Sequence, residues 1–263
     1  MIVGSNNWTS VAYGNGIFVV GGESGYVTTS TDEGTTWSTP KQLVTIGSWS
    51  NVIYANGSFM MLNFHNGKLA TSTDGITWAI RDTYSLEYWR DLAYGNGIYV
   101  AVGPKGSTIM TSTDGETWTK RTVGSVIWQG IAYGNGKFII ISDGGYFSTS
   151  TDGVTWKSQS RIPNVFKGYD VITFGNGKFV VAEGYQGNTQ TTTDGETWTT
   201  PNTSAGSHNW HSIAASDGKF ILVGNSGYVT TSVDGITWET PYQLKDEKGS
   251  TVSIILYDVC ATQ

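Results

Sequence analysis

Three features of this 263-residue chain point to an all-β propeller of six blades, each of four antiparallel strands. A short phrase ending in an Asp-Gly turn and a Trp recurs six times. A second turn, Asn-Gly between apolar runs, recurs in step with it, and an aromatic residue opens every repeat. The phrases occupy 30–37 (STDEGTTW), 72–78 (STDGITW), 112–118 (STDGETW), 150–156 (STDGVTW), 192–198 (TTDGETW) and 232–238 (SVDGITW). Their aspartates, Asp32, Asp74, Asp114, Asp152, Asp194 and Asp234, fall 38 to 42 residues apart. Such a period signals stacked supersecondary units, because one short unit cannot bury its apolar faces alone.

The repeats open at Trp8, Trp49, Trp89, Trp128, Tyr169 and Trp210, which sets the starts of six blades in a single domain over 1–263. In the first repeat, the alternating stretch from Trp8 to Tyr13 predicts a first strand. Asn15-Gly16 then predicts a two-residue hairpin turn, as do Asn56-Gly57, Asn96-Gly97, Asn135-Gly136, Asn176-Gly177 and Asp217-Gly218. These residue types accept the positive φ that a primed turn demands. The apolar run Ile17-Phe18-Val19-Val20 predicts a second strand, and a Gly-rich break at 21–25 ends it. Tyr26 to Ser30 predicts a third strand, and a fourth is expected to begin at the Trp after the Asp-Gly turn. Glycine and β-branched residues interrupt every stretch long enough for a helix. The Trp of each phrase is expected to pack between blades, where a large flat ring fills the gap between two twisted sheets. At 251–260, Ile254-Ile255-Leu256-Tyr257-Asp258-Val259-Cys260 reads as a seventh opening strand. It would either close the ring beside the N-terminal blade or belong to a longer protein.

Composition narrows the function classes. Glycine is abundant at 35 residues and proline scarce at 5, which suits tight turns in a β protein. Only 14% of residues are charged and the net charge is −6, which argues against nucleic acid or an anionic membrane as partner. Cys260 is the single cysteine, so no intrachain disulfide forms. The first eight residues show no signal-peptide pattern, and no apolar run reaches membrane-spanning length, so a soluble protein without membrane insertion is expected.

The six Asp-Gly phrases resemble the Asp-box, or BNR repeat, of sialidase-like propellers, whose pattern is Ser-x-Asp-x-Gly-x-Thr-Trp. Only 30–37 keeps that full spacing; the other five are one residue shorter between Asp and Gly. Together with Ala-Tyr-Gly-Asn-Gly, the repeat style is also similar to that of bacteriophage tail and virion proteins. The Asp-box resemblance implies that Asp32, Asp74, Asp114, Asp152, Asp194 and Asp234 are structural corners, away from any ligand. Each corner offers one carboxylate, too few for a calcium ion that takes six or more oxygens. No metal or cofactor is expected.

A sialidase site uses three arginines, a Tyr–Glu nucleophile and an Asp acid/base. The chain has only Arg81, Arg90, Arg121 and Arg161, and Arg81 and Arg121 share one repeat position. Ser160-Arg161-Ile162-Pro163 is similar to the sialidase Arg-Ile-Pro motif but follows the fourth box instead of preceding the first. Glu23, Glu87 and Glu183 are carboxylates on loops opposite the boxes, and none is tied by sequence to a tyrosine. His65, His208 and His211 show no metal or triad spacing. A non-catalytic protein is therefore expected, with a sialidase-type glycosidase as the remote alternative.

A ligand would sit on the face opposite the boxes, built from the loops between second and third strands and the blade connections. Those loops carry Glu23 with Tyr26, His65 with Asn66, Lys105, Asp143 with Tyr146, Tyr185 with Gln186, and Asn225 with Tyr228. The opening aromatics lie near the same face. The candidate binding residues are Trp8, Tyr26, Trp49, His65, Trp89, Trp128, Tyr146, Tyr185, Trp210 and Tyr228. Flat rings beside amides and carboxylates suit a sugar, so a glycan or surface receptor is the expected partner, plausibly for a phage or other extracellular particle. A structural or protein-interaction role is the alternative, with the rings packed between blades.

Overall fold

The computed structural model describes residues 6–82, 88–103, 107–165, 168–246 and 248–260, so the candidates Glu87 and Lys105 lie outside the described residues. The protein is an all-β, six-bladed β-propeller. Among the described residues its helical content is two 3-10 turns, at Glu23–Gly25 and Asn225–Gly227. The first blade is β1 (Trp8–Gly14), β2 (Ile17–Gly22), β3 (Tyr26–Ser30) and β4 (Lys41–Gln42). The second is β5 (Trp49–Ala55), β6 (Ser58–Asn63), β7 (Lys68–Ser72) and β8 (Ala79–Asp82), and the third is β9 (Asp91–Gly95), β10 (Ile98–Val102), β11 (Thr108–Ser112) and β12 (Thr119–Thr122). The fourth is β13 (Trp128–Gly134), β14 (Lys137–Ser142), β15 (Tyr146–Ser150) and β16 (Ser160–Arg161). The fifth has β17 (Val171–Gly175), β18 (Lys178–Ala182) and β19 (Thr189–Thr192), with a single bridge from Thr189 to Asn202 at the fourth-strand place. The sixth is β20 (Trp210–Ser216), β21 (Lys219–Gly224), β22 (Tyr228–Ser232) and β23 (Tyr242–Gln243). By backbone contact the chain divides into two compact units, 1–127 with 260–263, and 128–259.

The repeated phrases explain the blades residue by residue. Asn15 and Gly16 take φ of 50° and 77°, the primed turn that matches strand twist. Across it Tyr13 pairs with Phe18, ring centroids 4.6 Å apart, and the same contact recurs in Tyr54–Phe59, Tyr94–Tyr99, Tyr133–Phe138 and Phe174–Phe179. Second strands beyond the first blade are mostly buried on both faces; all five residues of β10 are buried. A bulge follows the opening Trp in β1, β5, β13 and β20.

The sequence placed the start of each fourth strand at the corner Trp; β8 and β12 start one residue past it, and the other fourth strands start later. In the first, fourth and sixth blades one backbone bond forms just past the Trp (Ser38 N to Thr29 O, 2.8 Å; Lys157 N to Thr149 O, 2.9 Å; Glu239 N to Thr231 O, 2.9 Å), and the ladder resumes only at β4, β16 and β23. In the first four blades the Trp indole N–H donates to the corner glycine carbonyl, as Trp78 does to Gly75 at 3.0 Å, whereas Trp238 Nε1 donates to Thr189 Oγ1 at 3.1 Å.

Cores lie between successive blades within each unit. Trp118 packs with Met60, Leu62, Leu69 and Trp89 between the second and third blades. Trp198 packs with Ile139, Phe147 and Phe179 between the fourth and fifth, and Trp238 with Val180, Phe220 and Trp210 between the fifth and sixth. The segment after Val252 forms no regular strand, yet it repeats the contacts of an opening strand against the sixth blade. Leu256 N donates to Gly224 O at 3.1 Å, as Trp210 N does to Gly184 O at 2.7 Å. Ser212 bonds Asp258 at 2.5 Å, as Asn51 bonds Asp91 at 2.9 Å.

Candidate functional site

The two ends of a blade differ in chemistry. At the corner end, each Asp accepts the donors of its own turn. Asp74 Oδ1 takes Ser72 Oγ–H at 2.9 Å, Ile76 N–H at 2.8 Å and Thr77 N–H at 2.7 Å, while Ser72 Oγ accepts Gly75 N–H at 2.8 Å. Asp32, in the longer first corner, draws on Thr36 Oγ1 at 2.6 Å and Thr36 N at 2.8 Å. These bonds hold the carboxyls low: Asp32 at about 2 through Thr36, Asp74 at about 2 through Thr77 and Ile76, and Asp152 at about 2 through Thr155 and Val154. Asp114 and Asp194 are pushed well down by the same backbone donors. For Asp234 burial pushes upward, and the bonds from Ile236 and Thr237 outweigh it.

Corners also meet the preceding hairpin, so both turn types share one end of the blade in the 128–259 unit. Asn135 Nδ2 donates to Thr193 O at 3.3 Å and Lys137 Nζ to Asp194 O; one blade on, Asn176 Nδ2 donates to Val233 O at 3.4 Å and Lys178 Nζ to Asp234 O at 3.2 Å.

The opposite end holds the candidate binding residues. Trp49, Trp89, Trp128 and Trp210 are at most 1% exposed, so their ring faces contact protein and not solvent. Trp8, Tyr26, Tyr146 and Tyr228 are half-buried, while His65 and Tyr185 are exposed. The structure gathers these residues into two groups. In the 1–127 unit, His65 meets Phe64 at 5.1 Å and Tyr88 at 6.3 Å, with the Arg90 guanidinium 6.0 Å from the Phe64 ring. In the 128–259 unit, Tyr228 stacks on His208 at 3.8 Å with an interplanar angle of 21°, and His208 also meets Trp210 at 5.5 Å. Burial lowers the pKa of His208.

This second group continues into the fifth blade. Trp210 Nε1 donates to Gly206 O at 2.9 Å, and Ser207 Oγ to Gln186 O at 3.4 Å, which fixes the 184–187 loop beside the 206–208 connection. A side chain at Gly187, where φ is +69°, would lie 1.8 Å from Gly206 O, so this join requires glycine. Tyr185 stands out from the loop at 65% exposure. His211 Nε2 lies 2.7 Å from Asn225 Oδ1, within hydrogen-bond distance. The sequence named His208 and His211 but had no signal for the contact each would make. Tyr169 and Glu183 were named separately; the structure joins them, because burial first and the Glu183 charge second raise the Tyr169 pKa.

All large exposed aromatics among the described residues, Tyr88, Tyr185, Tyr242 and Tyr257, lie off the corners, which expose only single aliphatics such as Ile76 and Val233. No helix among the described residues is long and apolar enough to cross a membrane.

No protein family matches the chain by its sequence profile, and no curated protein matches it. Solved structures do. YCF48 in its complex with the D1 peptide is 17% identical over 89% of this chain and 80% of that one, with a TM-score of 0.69. Virginiamycin B lyase from Staphylococcus aureus is 13% identical over 92% of this chain and 86% of its own, with a TM-score of 0.80. A catalytically inactive histidine variant of that lyase, solved with quinupristin, is 13% identical over 90% and 84%, with a TM-score of 0.77. These neighbours correct the expectation of a non-catalytic protein: an enzyme of different chemistry uses the same fold, so missing sialidase residues do not argue against catalysis. The Asp-box and virion resemblances rest on the motifs alone. What the likeness establishes is the fold, a six-bladed β-propeller that serves a peptide-bound protein and a lyase alike.

Proposed function

We propose that the protein is a recognition module that holds a protein segment at the loop end of its fifth and sixth blades. The observation that carries this reading is the stacked His208–Tyr228 pair, set beside the exposed Tyr185 and the His211–Asn225 contact. Rigid rings with amide and imidazole edges supply contact area at small entropic cost, together with directional hydrogen bonds. The net charge of −6 favours a basic segment, and a fold neighbour solved with a peptide is consistent with the reading. A glycan on a surface receptor is the other molecule these rings suit. The test is selection from a displayed peptide library in parallel with a glycan array, followed by titration. A selected peptide should bind Tyr185→Ala and His208→Ala at least tenfold more weakly, while Ile76→Ser at the corner end leaves affinity unchanged. Selection of sugars and no peptide would replace the protein partner with a glycan.

A second reading, catalysis, is favoured by His211. Its imidazole is exposed and held at 2.7 Å from Asn225 Oδ1, and a positioned imidazole is the side chain most often used as a general base. Incubation with quinupristin and mass analysis of the products tests the lyase version. Turnover that disappears in His211→Ala would establish it, and an unchanged ligand would dismiss it.

A further inference from the structure

The fifth blade breaks the repeat at three positions that meet in space. Its opening aromatic is Tyr169 where the other five blades have Trp. Glu183 stands where they have Gly22, Asn63, Gly103, Ser142 and Gly224, and Gln190 where they have Thr28, Ala70, Met110, Ser148 and Thr230. In three of those blades the first of these places is closed on backbone. A Cβ would lie 2.7 Å from Asn7 O at Gly22, 2.5 Å from Tyr88 O at Gly103 and 2.7 Å from Asn209 O at Gly224. The fifth blade opens the place and puts a carboxylate in it.

That carboxylate is 4% exposed. One oxygen accepts Asn188 Nδ2–H at 2.5 Å; the other, Oε1, is buried and has no donor among the described residues. The Tyr169 hydroxyl does not serve it, because that hydroxyl donates to Gln190 Oε1, and Gln190 Nε2 is committed to Thr199 O and Pro163 O. No described cation pairs with Glu183. Above it runs the 184–187 loop, with glycine at both ends and Tyr185 outward. A buried carboxylate oxygen without a donor is unstable on its own and is neutralised most strongly by a cation that carries N–H groups.

We infer that the Glu183 cluster of the fifth blade is a subsite for a primary ammonium group, the side chain of a lysine on the captured segment. The inference rests on the recognition reading only for the molecule that carries the ammonium. Access comes through displacement of the 184–187 loop, after which Oε1 accepts one ammonium N–H. The group fits better than a divalent cation, which would require several charged oxygens at once.

The probe is Nα-acetyl-lysine amide, with Nα-acetyl-norleucine amide as its uncharged match, titrated into the full chain while backbone amide resonances are followed. The lysine probe should give saturable shifts confined to 183–190, the norleucine probe none, and Glu183→Gln at least tenfold weaker binding. Glu183→Gly, the residue of three other blades, repeats the test if Glu183→Gln does not fold. Equal response to both probes, unchanged binding in the folded Glu183 variants, or no saturable shift in the wild type would overturn the subsite. If a selected loop-end peptide binds equally well after its lysines are replaced by norleucine, the subsite falls and the recognition reading stands. If the lysine probe binds 183–190 while no peptide is ever selected, the subsite stands and the recognition reading falls.

Discussion

Replacing glycine by alanine at three turns separates backbone strain from blade packing. Gly57, Gly75 and Gly235 have φ of +75°, +70° and +71°, so the strain added by a Cβ is nearly equal, about 1–2 kcal/mol. Their surroundings differ. A Cβ on Gly57 meets nothing within 4 Å, on Gly75 it lies 3.0 Å from Val19 Cγ2, and on Gly235 it lies 2.5 Å from Val180 Cγ2. The first change costs the strain alone. The second adds a contact relieved by a shift of a few tenths of an ångström, and the third forces the corner away from the neighbouring strand, adding about 1–3 kcal/mol. Urea unfolding followed by tryptophan fluorescence should rank the losses Gly57→Ala, Gly75→Ala, Gly235→Ala, with the last roughly twice the first or more. Three equal losses would refute the packing of corner glycines on the preceding blade.

Three further outcomes follow from the corners and the loop end. The corner carboxyls have depressed folded pKa values, Asp74 and Asp152 at about 2 against 3.8, so their contribution is complete above the unfolded value and disappears as pH falls toward 2. Stability measured by denaturant titration from pH 5 to 2 should decline through that window, and less steeply in Asp74→Asn and Asp152→Asn. Glu183→Gly should raise the midpoint of thermal unfolding by removing a buried acceptor without a donor, a gain of about 1–3 kcal/mol, whereas a lower midpoint would mean that the oxygen is well satisfied. Tyr185→Ala, at a 65% exposed position, should leave the melting temperature within about 1 °C of wild type while weakening partner binding.

Much of this fold was readable because the repeat writes its turns in residues with few other uses. Five Asn-Gly pairs sit where two successive positive φ values are needed, and the Ser-x-Asp-Gly-x-Thr phrase spells out the donors and acceptors of one corner. The bulge after the opening Trp was not legible, since no residue type is required there. Fourth-strand starts were misplaced in the first, fourth and sixth blades, where the chain leaves the ladder after one backbone bond past the Trp. Of the loop end, the sequence supplied the residues but not their partners. His208 and Tyr228 lie 20 positions apart in different segments, and only the folded sixth blade stacks them. Glu183 was visible as an acidic residue on a loop. It is buried beside a Tyr169–Gln190 pair that no other blade has, which one position viewed alone does not reveal.

The two hairpin-to-corner links of the 128–259 unit run one way along the polypeptide. Lys137 holds the carbonyl of Asp194, 57 positions later, and Lys178 holds that of Asp234, 56 positions later. During synthesis, then, the clasp always leaves the ribosome before the turn it fastens. A nascent chain can settle each new module onto one already made, and no distant part of the message has to be translated first.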